Sequence, residues 1–567
     1  MNAIQNTVHA AASSLPPSYQ DATTTQRHWQ ASYGSTPNEI NPDAYRSVVD
    51  MMDQAMKRFA DRPAMRCAGQ TLNYADLDRL SRDFAAYLQS KLGVKKGDRV
   101  AVMTPNLLAF PIAFLGIIRA GAAQANVNPL YTPRELEHQL NDAGVETLVV
   151  FSGVTATVAE VVARTRLKTI VTVGLGDGSG VSLPSPPVDG RLTGAVAFTD
   201  ALAEGAGLPF TPVDVDGDDL LFLQYTGGTT GLSKGAALSH RNLVANTEQF
   251  KAFMPSVLRP GEEVVVTAIP LYHIFALMVN FISYFSVGAD NWLVPNPRDF
   301  DSFLDTLKKA RPSIFIGVNT LYAGLVAHPR GKEVDWSNLR LAAGGGAAVI
   351  GAVSDKWRAL TGTFIREGYG LSETSPILTF NPAAVNEFTG TTGLPMPSTD
   401  IKLLDGNGCE VGIGEAGEIC ARGPQVMSGY WQQPEANAAA FTADGYFRTG
   451  DIGIFDAQGF LKIVDRKKDM VIVSGFNVYP NEVEAVATGC PGVAECACVG
   501  VPDEKTGEAV KLFVVKAANA ALGEIELIAH CREQLTAYKV PRIVRFVEAL
   551  PKSTVGKILR RELRDVA

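Results

Sequence analysis

Between Arg99 and Phe151 two kinds of hydrophobic pattern take turns, and few folds accommodate such turns. RVAVMT (Arg99 to Thr104) is an apolar run of strand length, NLLAFPIAFLGIIRAGA has the length of an apolar helix, and QANVN reads as a second strand. TPRELEHQLNDAG then carries a helix start, with Thr132 as N-cap, Pro133 at the first helical position and Glu135 completing a capping box. VETLVVF returns to a strand. This βαβα order predicts an α/β fold, with mostly parallel sheets covered by helices and ligands at the carboxyl ends of the strands.

The alternation stops at about Thr389, and from there to Asp465 short strands are punctuated by DGNG, ADG and AQG, which predicts a small antiparallel lobe. The cluster Asp465, Arg466, Lys467, Lys468, Asp469 closes that lobe, and the rest of the chain mixes helices and strands in an α+β pattern. The chain therefore divides into a loose N-terminal tail over 1–40, rich in Ala, Ser, Thr, Gln and Pro, a large N-terminal domain over 41–465 and a smaller C-terminal domain over 466–567. GLGDGSGVSLPSPPVDG (Gly174 to Gly190) reads as a connecting loop.

Composition narrows the class. The 567 residues leave room for a deep pocket, and 46% hydrophobic with 19% charged residues is a globular balance. Because 51 Lys+Arg face 59 Asp+Glu, the net charge of −8 gives no overall attraction to nucleic acid, so an anionic ligand has to be held locally. The seven cysteines contain no C-x-x-C pair, and Cys496 and Cys498 share one face of the strand-like run VAECACVGV, as expected of reduced thiols in a cytoplasmic enzyme. The uncharged run Val264 to Ala289 is long enough to span a bilayer, but Pro270, His273 and Asn280 interrupt it. It reads as a buried strand followed by a short apolar helix, and peripheral membrane contact stays open.

The chemistry is concentrated in YTGGTTGLSKGAALSH (Tyr225 to His240). Gly227, Gly228 and Gly231 free the backbone to turn its N–H groups toward an anion, Thr226, Thr229 and Thr230 add hydroxyls, and Lys234 adds a positive charge. Directly after the apolar strand LLFLQ, this suits a polyphosphate. A Walker A sequence is absent.

The stretch resembles the phosphate loop of the adenylate-forming enzymes, the superfamily of acyl-CoA synthetases, luciferases and peptide-synthetase adenylation domains; Ser233 stands where that pattern usually has proline. Further family motifs follow in order: PLYHIF (Pro270 to Phe275), AAGGGAA (Ala342 to Ala348), EGYGLSETSP (Glu367 to Pro376), FRTGD (Phe447 to Asp451), DRKKDMVIVSGFNVYPNEVE (Asp465 to Glu484) and PKSTVGKILRREL (Pro551 to Leu563). From about Asn41 onward the wording looks closest to bacterial long-chain fatty acyl-CoA synthetases. The resemblance implies ATP, Mg²⁺ and coenzyme A as reaction partners of a fatty acid. A fatty carboxylate does not react with a thiol until its oxygen becomes a good leaving group. Acyl-AMP would form first with release of pyrophosphate, and the thiol would then displace AMP. Positioned cations and donors would supply most of the catalysis.

Carried over residue by residue, the resemblance assigns Thr226 to Lys234 to the β and γ phosphates and Gly345, Gly346 and Ala347 to the adenine slot. Tyr369, followed by Gly370, would stack on the base, Ser372 would touch the nucleotide, and Glu373 with Thr226 would hold Mg²⁺. Asp451 would take the ribose hydroxyls with Arg466 nearby, and Lys557 would bridge the fatty carboxylate and the α-phosphate. His273 would lie beside the substrate carboxylate. Phe275, Leu277, Met278 and Phe281 fit an acyl channel or plain core equally, and Trp292 is left open as a gate. The resemblance places the hinge within 465–469, at Lys468, and Gly475 in the coenzyme A channel, where a residue without Cβ lets pantetheine pass.

Three alternatives remain at this stage. A ligase that stops at acyl-AMP or loads a carrier protein fits less well with the hinge motif and Gly475, a silent lipid-binding protein fits less well with intact Lys557, Glu373 and Asp451, and an unrelated phosphate-loop ATPase lacks its motif. A homodimer stays open, as does chain-length preference.

Overall fold

The computed structural model describes residues 27–226, 233–474, 476–553 and 557–564, which form four sheets. The expected βαβα unit is present: strands Arg99–Met103, Ala123–Asn126 and Thr147–Phe151 are parallel neighbours, linked by helices Ala109–Arg119 and Pro133–Asp142. Thr132 accepts from Glu135 N and the Glu135 side chain answers the Thr132 N–H, so the second helix starts on the capping box that its sequence announces. This sheet has eight strands, and one edge turns antiparallel where Leu220–Thr226 pairs with Lys234–Ser239.

A nine-stranded sheet lies beside it, parallel through Asp290–Leu293, Val264–Thr267, Ile314–Gly317, Leu341–Gly344 and Ile365–Gly370. Both sheets pack on one large apolar core that includes the helix Ala109–Arg119, buried along its whole length. The run after Val264 is the expected buried strand and apolar helix, although the helix Phe275–Ser283 is a π-helix rather than an α-helix. Among the described residues no helix is long and apolar enough to cross a membrane.

The antiparallel lobe is a four-stranded sheet ordered Asp400–Leu404, Gly417–Arg422, Phe447–Phe455, Leu461–Arg466. Beyond the charged cluster a five-stranded sheet carries helices Pro480–Thr488 and Glu524–Gln534 around its own core, where Cys496 and Cys498 pack among valines and leucines.

The loose tail expected over 1–40 does not extend across its described part. Trp29 is 2% exposed and stacks on Phe455 at 5.3 Å, Arg27 pairs with Asp400 at 2.6 Å, and Tyr33 donates to the Pro395 carbonyl at 2.7 Å. Two aromatic rings are enough to pin a polar segment against the lobe. Trp292 also departs from its suggested role. Its neighbour Leu293 faces the large core, whereas Trp292 points to the opposite side of the sheet, against the cluster around Val266 and Phe303 and under the Arg66 guanidinium at 5.0 Å. Alternation along a strand puts it on the wrong face to gate a channel lined by the π-helix.

Candidate active site

The carboxyl ends of strands from both large sheets converge, and nearly every described motif lies there. Leu341–Gly344 runs into Gly345, Gly346 and Ala347. A Cβ on Gly345 would press on the Phe275 ring at 3.1 Å, and Gly346 has φ +76°, a left-handed conformation natural to glycine. The turn is tied to the next strand by Val349 N, which donates to Glu367 Oε1 at 3.1 Å. Burial pushes the Glu367 carboxyl up to about 8, so it is mostly neutral at pH 7. Ile365–Gly370 brings up Tyr369, and Ser372–Thr374 forms one 3₁₀ turn that presents Ser372 and Glu373.

Four charged groups meet above this floor. Asp451, on Phe447–Phe455, accepts from the Tyr369 hydroxyl at 2.7 Å and lies 3.7 Å from the Arg466 guanidinium, its partner on the neighbouring strand. Burial raises the Asp451 and Glu373 carboxyls above their ordinary range, with Arg466 and Lys557 opposing the shift at Asp451. The Lys557 ammonium is pushed down to about 8, by burial first and then by Arg466, while Asp451 and Glu373 pull it back up. Lys557 Cε lies 3.7 Å from where a Cβ on Gly346 would stand. Among the described residues Lys557 makes no ion pair, so its ammonium can take an anion that enters the cleft.

Lys557 is held by its own turn: Lys557 N donates to Ser553 Oγ at 3.1 Å and Ser553 N to the Lys557 carbonyl at 2.7 Å. Three residues on, Arg560 donates to Asn481 Oδ1 at 2.7 Å and pairs with Glu484 at 2.8 Å. Asn481 in turn reaches across the charged cluster, donating from its backbone N to Asp465 Oδ2 at 2.8 Å and from Nδ2 to the Val464 carbonyl at 3.1 Å. Lys468 is exposed at the middle of that cluster, and Phe476, beyond it, is 56% exposed and stacks on Tyr538. This orientation therefore offers Lys557 to the cleft.

On the opposite wall, Asn106 shapes the PLYH loop. Its Nδ2 donates to the Thr267 and Ile269 carbonyls at 3.1 and 3.0 Å, and its Oδ1 accepts from Leu271 N at 2.8 Å. His273 Nδ1 accepts from Phe275 N at 3.3 Å, and burial followed by the Lys557 charge pushes its imidazole down to about 3. A neutral ring that accepts at Nδ1 carries its proton on Nε2, so His273 is a donor. Leu277, Met278 and Phe281 are fully buried behind it.

Thr226 ends its strand opposite Lys234, and its hydroxyl bonds Glu373. Gly227, Gly228, Thr229, Thr230, Gly231 and Gly475 lie outside the described residues. The carboxylate and the hydroxyl form an oxygen-only donor pair that suits a hard cation completing its shell with phosphate oxygens and water. Among the described residues no cluster of three or more His, Cys, Asp or Glu could hold a metal without such help.

Asn106 and Tyr430, whose hydroxyl donates to Glu373 Oε1 at 2.9 Å, lie in none of the motifs, and Asn481 lies inside DRKKDMVIVSGFNVYPNEVE without a role assigned to it from sequence. Glu367 lies inside EGYGLSETSP, on the strand Ile365–Gly370, where it and Ile365 are the two buried residues.

Comparison with known proteins agrees with this geometry. The family model described as AMP-binding enzyme matches residues 52–431, and that described as AMP-binding enzyme C-terminal domain matches 482–557. The chain is 49% identical over 542 residues to a long-chain-fatty-acid--CoA ligase of Escherichia coli O157:H7, covering 94% of this chain and 96% of the relative. Among solved structures, anthranilate CoA ligase AuaEII in complex with anthranoyl-AMP superposes with TM-score 0.84 at 27% identity, over 93% of this chain and 99% of that one. ATP-bound MatB from Rhodopseudomonas palustris gives TM-score 0.81 at 32% identity, over 91% and 98%.

Proposed function

The chain belongs to the AMP-binding, adenylate-forming enzymes, and from that premise we propose that it is an AMP-forming long-chain fatty acid:CoA ligase. The observation that carries the reading is the meeting of Lys557 with Arg466, Asp451, Glu373 and His273 in one cleft, in a chain so similar throughout to a ligase of that activity. In the first half-reaction a carboxylate oxygen of the fatty acid attacks the α-phosphorus of ATP. The bond from that phosphorus to the pyrophosphate oxygen breaks, leaving acyl-AMP. Two anions have to approach one another, and Lys557, whose ammonium can take an anion, lowers that barrier by lying between them. Arg466 and Asp451 fix the ribose side, Asp451 exchanging its bond to Tyr369 for the sugar hydroxyls. His273 donates from Nε2 to the substrate carboxylate. Lys234 receives the departing pyrophosphate together with the glycine- and threonine-rich loop. Glu373 and Thr226 would hold Mg²⁺, which would supply neutralisation of phosphate charge when bound.

In the second half-reaction the coenzyme A sulfur attacks the acyl carbonyl carbon, AMP leaves with the bonding electrons and the thiol proton passes to solvent. Lys557 has no part in this step. Rotation about Lys468 withdraws it and brings Gly475 to the cleft. The boundary of the mobile domain thus falls within 465–469.

Incubation with ATP, Mg²⁺ and fatty acids from acetate to oleate, with and without coenzyme A, tests the reading by mass spectrometry. Acyl-CoA and AMP that peak at long chains are the expected products. Acyl-AMP that persists despite coenzyme A would establish the carrier-loading alternative instead, and ADP would overturn the family chemistry.

A further inference from the structure

We propose that Tyr430 is a positioning residue that keeps Lys234 and Glu373 apart, so that the ammonium stays available to phosphate and the carboxylate to the metal. The proposal rests on the roles given above to those two residues. Tyr430 lies on the two-residue strand Gly429–Tyr430, antiparallel to Lys234–Ser239, with Tyr430 opposite Ala236. Lys234 is two residues from Ala236 and so projects on the same face, diagonal to Tyr430. Its ammonium lies 5.2 Å from the Tyr430 ring centroid, within cation–π range. The phenol hydroxyl points the other way and donates to Glu373 Oε1 at 2.9 Å. One side chain therefore gives a neutral partner to each of two opposite charges, and among the described residues Lys234 makes no ion pair.

The phenol is itself held in place. Asn437, on the helix Pro434–Ala440, accepts from Tyr430 N at 2.6 Å and donates to the Tyr430 carbonyl at 3.0 Å. Trp431 N then donates to the Gly235 carbonyl at 2.8 Å, which locks the segment to the Lys234 strand. The ring packs against the edge of the large core, and the grip on three backbone groups makes it a fixed spacer. Without the spacer, a lysine and a buried carboxylate on facing elements would close into an ion pair, which phosphate and metal would have to break.

The two functions of the spacer separate experimentally, because the ring serves Lys234 and the hydroxyl serves Glu373. Full-length wild type, Tyr430→Phe, Tyr430→Leu and Glu373→Gln are compared in two measurements: ATP binding in EDTA by calorimetry, and Mn²⁺ binding to the enzyme–ATP complex by electron paramagnetic resonance. Tyr430→Phe is expected to leave metal-free ATP affinity within about twofold of wild type and to weaken Mn²⁺ binding by about 10-fold, as removal of a partner that orients a metal ligand does. Tyr430→Leu is expected to weaken both. Equal loss of both in Tyr430→Phe would reduce the tyrosine to a packing role and overturn the proposal. Mn²⁺ binding weakened by Glu373→Gln but untouched by Tyr430→Phe would overturn the proposal alone. Mn²⁺ binding that survives Glu373→Gln would overturn the assignment of Glu373 and the proposal with it.

Discussion

Replacing Lys557 by alanine is expected to separate the two half-reactions. The side chain feels the charges of Arg466, Asp451 and Glu373, and burial brings its ammonium down to about 8, so at pH 7 roughly nine-tenths of the free enzyme carries the charge. A unit charge about 4 Å from a phosphoryl group at an effective dielectric constant near 20 is worth about 4 kcal/mol, and a partly open cleft returns some of that. Adenylation should therefore fall by about 10² to 10³, in the range seen for loss of one transition-state donor. Rapid-quench measurement of acyl-AMP from ATP and oleate reads the first step. Release of AMP from supplied oleoyl-AMP and coenzyme A reads the second, which should stay within about threefold of wild type, since no charge on Lys557 is spent there. The wild-type kcat/KM for adenylation should also decline above pH 8 as the ammonium of the free enzyme deprotonates, and Lys557→Arg should lack that limb. Equal damage to both half-reactions, or a flat wild-type profile from pH 7 to well above pH 9, would refute the assignment.

Other residues give independent tests. Glu367 titrates near 8 when folded and near 4.5 when unfolded, so its contribution to stability is full below 4.5 and is lost as pH rises toward 8. Glu367→Gln cannot ionise and should be more stable than wild type at pH 7, by up to about 3 kcal/mol from urea unfolding, with the gap closing as pH falls to 4.5. Asn106→Ala strips three bonds from the PLYH loop and leaves buried backbone groups unmet, which should cost about 2 to 4 kcal/mol in the same assay and raise the KM for fatty acid. Asn481→Ala removes the side-chain bonds that join the hinge to Arg560, three residues beyond Lys557, and should slow adenylation by about tenfold while sparing thioester formation. A larger loss in the thioester step would place Asn481 in the other conformation.

Local pattern carried much of this architecture. Thr132, Pro133 and Glu135 start a helix because their bonds lie within three residues, and the length of each apolar run separates the strand at Arg99 from the helix at Ala109. The antiparallel lobe was legible from its turn residues for the same reason. Partners that meet through tertiary packing left no such trace. Asn106 shapes a loop 165 residues away, and Tyr430 reaches Glu373 from 57 residues away on a strand only two residues long. Trp29 looked like part of a polar tail because its partner Phe455 belongs to the far lobe. The face of Trp292 depends on strand register, and the motif strings that put Arg466 near Asp451 did not show that Lys557 would feel the charge of both in this orientation.

The π-helix Phe275–Ser283 gives the segment after His273 an unusual tolerance for change in length. A π turn holds one residue more than an α turn, so deleting a single residue there lets the helix tighten without pulling on its ends. Removing that one residue would leave the turns before and after it in register, because the extra residue of a π turn is the one an α turn lacks. The change would be confined to the packing around Met278 and Phe281 while Asn106 kept the preceding PLYH loop fixed. The loop that carries His273 and the buried packing behind it can thus be altered separately, by deletion rather than by substitution.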